Sequence, residues 1–183
     1  MASELTVQTL RGPTSGANAD TVLIPSGQTL DASNGFVAPT GHVIQTIDHQ
    51  SGGQVNSDST TYIDTYVNVS ITTTKANSKI LYLGQLGINC SNARYGYIRI
   101  IKRINGSDTE VYAPGRISMA GNSTTGDVES SVVLNYLDDP NQPVGTTIEY
   151  RLQIRNAGVN LGGATFRSND NINSSVVLQE IAQ

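Results

Sequence analysis

The residues of this chain that could do acid–base or metal chemistry are few and poorly spaced for it. The two histidines, His42 and His49, lie in a polar stretch, and neither falls in a nucleophile-elbow or metal-binding spacing. A histidine triad or a zinc site elsewhere in the chain is therefore not expected, and His42, beside Val43 and Ile44, reads as a structural residue. Paired carboxylates are the alternative, since glycoside hydrolysis uses one as acid and the other as base or nucleophile. Asp138-Asp139 is the obvious pair, but adjacent residues point apart and Pro140 marks them as turn residues. Asp108 and Glu110 sit beside a hairpin turn, and Asp127 and Glu129 border a loop. The absence of tryptophan also removes the usual sugar-stacking platform. Asp170, in Arg167-Ser-Asn-Asp-Asn, has oxygens for Ca²⁺ around it but not the EF-hand spacing, and reads as a polar turn. Gly12-Pro-Thr-Ser-Gly-Ala shares only its glycines with a phosphate loop. Neither a catalytic centre nor a cofactor or metal is expected.

These residues sit on a chain whose character changes near residue 60. Residues 1–60 are rich in Gly, Ser, Thr and Asp, whereas residues 61–183 alternate densely between apolar and polar. Charge divides with them: ten of the eleven Lys and Arg follow residue 60, ten Asp and Glu balance them there, and the net −4 belongs to the first part. A neutral second part lacks the clustered cations that a phosphate backbone requires, so nucleic acid is not an expected partner. The apolar groups of the first part (Val22–Ile24, Phe36–Ala38, Val43–Ile44) are too small to offset backbone ordering of roughly 1–2 kcal/mol per residue. Residues 1–60 therefore read as an extended attachment and trimerisation arm ordered with the help of other chains. Residues 61–183 are long enough for one sandwich core. No apolar run is long enough to cross a membrane as a helix, and Met1-Ala-Ser-Glu lacks the start of a secretory signal, so synthesis in a cytoplasm is expected. The single cysteine, Cys90, excludes an intrachain disulfide and reads as a small apolar strand residue. The five Asn-x-Ser/Thr triplets follow from a Ser/Thr/Asn-rich composition rather than from glycosylation.

Period-two alternation recurs along the second part while helical periodicity is almost absent. Strands are expected over residues 66–72, 79–89, 94–104, 109–112, 116–120, 130–137, 146–155 and 174–181. Gly84 and Gly87 suggest a bulge or a close backbone approach in the second of these. Asn105-Gly106 tolerates positive φ at both turn positions and favours a tight hairpin. In Thr146–Arg155, Ile148, Tyr150, Leu152 and Ile154 alternate with Glu149, Arg151, Gln153 and Arg155, giving an apolar face and a charged one. Strands at this spacing with hydrophilic turns indicate an all-β fold, an antiparallel sandwich of the jelly-roll kind.

The arm carries short strand-and-turn signals: Val22-Leu-Ile-Pro, the turn Ser26-Gly-Gln and Thr29-Leu-Asp, then Phe36-Val-Ala-Pro, the turn Thr40-Gly41 and His42-Val-Ile-Gln. Such pieces suit an intertwined collar of three chains. Four stretches carry a resemblance: Glu4-Leu-Thr-Val-Gln-Thr-Leu, Ile24-Pro-Ser-Gly-Gln-Thr-Leu-Asp-Ala-Ser, Pro39-Thr-Gly-His-Val-Ile-Gln and Ser175-Val-Val-Leu-Gln-Glu-Ile-Ala. They resemble small tail-fibre and virion-appendage proteins of tailed bacteriophages, especially those of cyanobacteria and marine bacteria. The resemblance implies a slender amino-terminal region that attaches to the particle and trimerises, with an outward β-sandwich knob.

The expected protein is thus a non-enzymatic virion component: a homotrimeric tail fibre or receptor-binding appendage for host-surface attachment. The alternative is a capsid decoration protein, a cement or head fibre, that stabilises the shell. Expected partners are further copies of the chain, other virion proteins through residues 1–60, and a host cell-surface glycan. Tyr95, Tyr97, Tyr112 and Tyr136 offer stacking faces and hydroxyls to such a glycan, although alternation sends about half of each strand inward, where a tyrosine packs the core instead. The candidate ligand contacts are the turn and loop positions Tyr95, Asn105, Asp108, Ser123, Asn169 and Asp170.

Overall fold

A computed structural model of the chain describes residues 13–17, 22, 26–27, 38–51, 53–91, 95–118, 127–157, 165–168 and 173–183. The chain divides into two units, Met1–Val37 and Ala38–Gln183. Within the first, Ser26 and Gly27 form the expected turn, with Gly27 at φ 81°.

In the second unit alternation becomes strand. Along Ile63–Thr72, Thr65, Val67, Val69 and Ile71 are buried while Asp64, Tyr66, Asn68, Ser70 and Thr72 are exposed, as the two faces of a half-buried strand require. The strands are β1 (Val43–Ser51), β2 (Asn56–Ser57), β3 (Ile63–Thr72), β4 (Lys79–Ser91), β5 (Tyr95–Ile104), β6 (Ser107–Ser118), β7 (Asp127–Asp138), β8 (Thr147–Asn156), β9 (Thr165–Ser168) and β10 (Ser174–Ile181). All described pairings are antiparallel.

Six strands form one sheet and four the other, the latter in the order β3-β8-β5-β6. In the larger sheet β7 pairs with the whole length of β4. The other edge of β4 is shared, with β10 along Lys79–Gln85 and β9 along Ile88–Ser91. Outside these lie β1 on β10 and β2 on β9, so at any height the sheet is four strands wide. If β1 with β2 and β9 with β10 are each taken as one broken strand, the first pairs with the last, the second (β3) with β8, the third (β4) with β7 and the fourth (β5) with β6. A long hairpin rolled into two facing sheets is the jelly roll.

The core lies between the sheets. Val67, Val69, Ile71, Ile98, Ile100, Ile148, Leu152 and Ile154 come from one side, and Ile80, Leu86, Ile88, Leu134, Val176 and Leu178 from the other. Tyr82 and Tyr150 meet across it with ring centroids 6.1 Å apart, and burial pushes both phenols well above their ordinary pKa. Glu180, fully buried on β10, accepts hydrogen bonds from Gln45 Nε2 (2.6 Å), Thr74 Oγ1 (2.7 Å), Thr74 N (2.9 Å) and Lys75 N (3.1 Å). It thereby ties the β3–β4 turn to the last strand.

Three sequence expectations change. Residues 43–57 belong to the sandwich as β1 and β2 rather than to an arm reaching residue 60, because β1 pairs with β10 from Val43 to Ser51. The two short strands expected over 109–120 are one, β6, kinked where Ile98 faces Gly115 and Ile100 faces Tyr112. Pro114 beside that bulge is tolerated because β6 is an edge strand and its missing N–H breaks no inner ladder. Of the two readings of Gly84, close approach holds: β4 pairs β7 without a register shift, and a Cβ at Gly84 would stand 2.5 Å from the Tyr82 ring.

Candidate functional site

The structure does not gather the sequence candidates into one site. Asn105 (φ 50°) and Gly106 (φ 81°) make the tight β5–β6 turn, and Asp108 lies just beyond it, facing Arg103. Tyr95 opens β5, opposite Ser118, so the length of that strand, roughly 30 Å at about 3.4 Å per residue, separates it from the turn. Ser123, Asn169 and Asp170 lie outside the described residues, as does the side chain of Tyr95.

Asp108 instead enters a charged lattice on the outer face of the four-stranded sheet. Register fixes its rows: Asn68, Arg151, Ile101 and Glu110 stand side by side, as do Ser70, Glu149, Arg103 and Asp108. Arg103 donates to Asp108 through Nε (2.7 Å) and Nη2 (3.1 Å) and approaches Glu149 at 3.9 Å. Arg151, nearly buried, donates to Asp64 at 2.6 Å and to Asp108. Gln153 donates to Asp64 (2.7 Å) and accepts from Arg99 Nε (2.7 Å), whose Nη1 reaches Glu110 at 3.0 Å. The hydrogen bond from Arg103, aided by Arg151, holds the Asp108 carboxyl below its ordinary pKa, and Arg103 is raised in turn. Exposed pairs of this kind contribute little to stability singly, but shared partners hold each side chain in one place.

At the other end of the same face the lattice gives way to aromatic rings. Tyr62, just before β3, lies under two guanidinium groups, Arg99 at 3.9 Å and Arg155 at 5.0 Å from its centroid. Arg155 also sits 4.0 Å from the centre of Tyr97, its cross-strand neighbour. Tyr112 and Tyr136, by contrast, stack on each other at 5.4 Å and pack against the core, so these two serve structure. The Arg155 site was not foreseen. Alternation in β8 sends Arg155 outward, but its meeting with Tyr62 depends on strand order.

Asp138 departs from its expected role as a turn residue. It ends β7 at 3% exposure, accepting the Tyr150 hydroxyl at 2.7 Å and pairing with Lys102 Nζ at 2.9 Å; Asp139 alone is exposed. No catalytic pair results, because Asp138 is committed to a structural bond and faces the core. His49 Nε2 lies 3.3 Å from the Tyr66 carbonyl on β3. Among the described residues no three His, Cys, Asp or Glu groups are placed to hold a metal ion.

The outer face of the six-stranded sheet has the opposite character. Leu137 faces Leu81, and Leu83 faces Val177; Val133 is 65% exposed, Leu137 49% and Leu83 37%. Asn135 and Gln85 lie among them on the same face, and clustered exposed apolar side chains of this kind are a feature of macromolecular contact surfaces.

No protein-family model and no curated protein sequence matches the chain. Solved structures that align with it include VP2 of infectious bursal disease virus in its subviral particle, at TM-score 0.48 and 16% identity over 93% of this chain and 41% of that one. The Gx strain of the same virus aligns at TM-score 0.45 and 14% identity, over 87% of this chain and 37% of that one. T=1 particles derived from the virus align at TM-score 0.43 and 12% identity, over 93% and 44%. The chain spans about two fifths of the length of these proteins.

Proposed function

We propose that this chain is a non-enzymatic structural protein of a virion, a homotrimeric tail fibre or receptor-binding appendage. Its amino-terminal arm attaches to other virion proteins and its jelly roll meets the host surface. The observation that carries this reading is the contrast between the two outer faces of the sandwich. One exposes Leu83, Val133 and Leu137, apolar side chains suited to contact with neighbouring copies. The other is a lattice of arginine, carboxylate and tyrosine whose side chains already hold one another in position, as static recognition of a polar ligand requires. Three such faces on a trimer, and many trimers on a particle, would give avidity without strong single contacts.

These exposed apolar side chains also favour a second reading, a decoration protein bound permanently to the capsid shell. Electron microscopy of particles carrying a tag at Gln183 separates the two. Threefold density at the tail of tagged particles, with particles lacking the chain intact but unable to adsorb, is the expected result. Density on the capsid lattice, with depleted particles that adsorb but lose heat resistance, would replace attachment by decoration.

A further inference from the structure

We propose that Arg155, Tyr62 and Tyr97 form a binding site for a carboxylate-bearing sugar residue on the outer face of the four-stranded sheet. Arg155 is the exception among the arginines of β5 and β8. Arg99, Arg103 and Arg151 each bond a carboxylate, whereas Arg155 forms no ion pair among the described residues and makes only a long hydrogen bond, 3.4 Å, from Nη1 to the Thr60 carbonyl. Its Nε–H, like that of Arg151, is buried without an acceptor among the described residues. A guanidinium short of acceptors is unusual in a folded chain and calls for a partner.

Two rings lie against that guanidinium, Tyr97 at 4.0 Å and Tyr62 at 5.0 Å. With these contacts limiting the side chain's freedom, a carboxylate meeting its fork gains two parallel charge-assisted hydrogen bonds at reduced ordering cost. The segment before Tyr62 supplies the recognition of a sugar ring. Ser59, Thr60 and Thr61 are exposed, and their backbone is held by Asn156 N–H bonding the Ser59 carbonyl (2.9 Å) and Thr61 N–H bonding Ser59 Oγ (3.0 Å). Hydroxyls that both donate and accept match the hydroxyls of a saccharide. A neutral sugar would satisfy these groups and leave Arg155 unpaired; an acidic sugar satisfies both. The biological source, an acidic polysaccharide of the host surface, rests on the attachment reading above, whereas the ligand chemistry rests on the geometry.

The test uses the full chain and two probes that differ at one carbon, methyl β-D-glucuronide and methyl β-D-glucoside, titrated while the tyrosine ring signals are followed by NMR. The glucuronide should shift Tyr62 and Tyr97 and bind at least about tenfold more tightly than the glucoside. Arg155→Gln should abolish that preference, Arg155→Lys, which keeps charge but loses the fork, should retain a part of it, and Arg103→Gln should leave it intact. Equal binding of both probes, unshifted tyrosines, or full affinity in a folded Arg155→Gln chain would overturn the site. Acetate binding as tightly as the glucuronide would overturn the sugar. Adsorption of the protein to host cells that glucuronide fails to compete would remove the site and leave attachment standing. Binding of glucuronide by a protein that ignores host cells would do the reverse.

Discussion

Asp138 shows how much one carboxylate can depend on its surroundings. At 3% exposure it holds both the Lys102 ammonium and the Tyr150 hydroxyl, so removing it leaves two polar groups in or near the core without their partner. Asp138→Ala should cost about 3–5 kcal/mol in denaturant unfolding, the usual penalty for breaking a buried pair. Asp138→Asn, which still accepts the tyrosine hydroxyl, should cost about 1–3 kcal/mol. Equal losses in the two variants would mean that the Tyr150 hydroxyl bond adds nothing measurable and that the loss comes from the neutralised partner of Lys102. Glu180 gives a pH signature. Burial alone would raise its pKa, but hydrogen bonds from Thr74, Ser78, Gln45 and the Lys75 backbone outweigh burial and lower it. A carboxyl lowered on folding binds its proton less readily in the native state than in the unfolded one. Its stabilisation is therefore present above the ordinary glutamate pKa and is lost as pH falls through the lowered value. Glu180→Gln should be less stable than the parent at neutral pH, and its stability should fall less between pH 5 and 3, measured by thermal melts across that range.

Two glycines, one on β4 and one between β1 and β2, separate a rigid packing constraint from a soft one. A Cβ at Gly84 would lie 2.5 Å from the Tyr82 ring, which is 1% exposed and closed in by Tyr150. A Cβ at Gly53 would come within 2.2 Å of the Tyr66 ring, which is 57% exposed and free to swing out. Gly84→Ala should therefore cost about 1–3 kcal/mol, the range for overpacking a core, and Gly53→Ala should fall within about 0.5 kcal/mol of the parent; comparable losses would refute the contrast. The β5–β6 hairpin was legible from Asn105-Gly106, because few dipeptides accept positive φ twice. The long central strands were legible from alternation alone. β1 was legible only at its start, His42-Val-Ile-Gln, since its side chains are at best half-buried and Val43–Ser51 shows only a weak apolar face. Nor was β9 legible, four residues long between a glycine-rich stretch and a polar one. The Tyr62–Arg155 site was beyond reach for another reason: its two residues are brought together by the rolled pairing of β3 with β8, a property of topology that no local pattern reports.

Across the whole sandwich, four long strands stand at sheet edges: β1, β3, β6 and β7. Register shifts interrupt the pairing of the first three, a device that twists an edge away from further strands. β7 runs twelve residues beside β4 without a shift and carries the exposed Val133 and Leu137. A trimer built on this side should be broken by Val133→Lys with Leu137→Lys and spared by charge changes such as Glu110→Gln on the opposite sheet, with light-scattering mass as the readout. An unchanged mass in the double lysine variant would move the subunit contact elsewhere. The same sheet also sets the order of events during synthesis. β10 lies between β1 and β4 although residues 52–173 separate it from β1 in the chain. At ribosomal speeds of about 5–20 residues per second, β1 is made seconds before the strand that completes its ladder. Until Ser174–Ile181 leave the exit tunnel, β1 has no neighbour to pair with and Glu180 has not reached the turn it fastens. Closure of the jelly roll is thus a late step, and ribosomes stalled before residue 174 should present a nascent chain that proteases still cut and chaperones still hold.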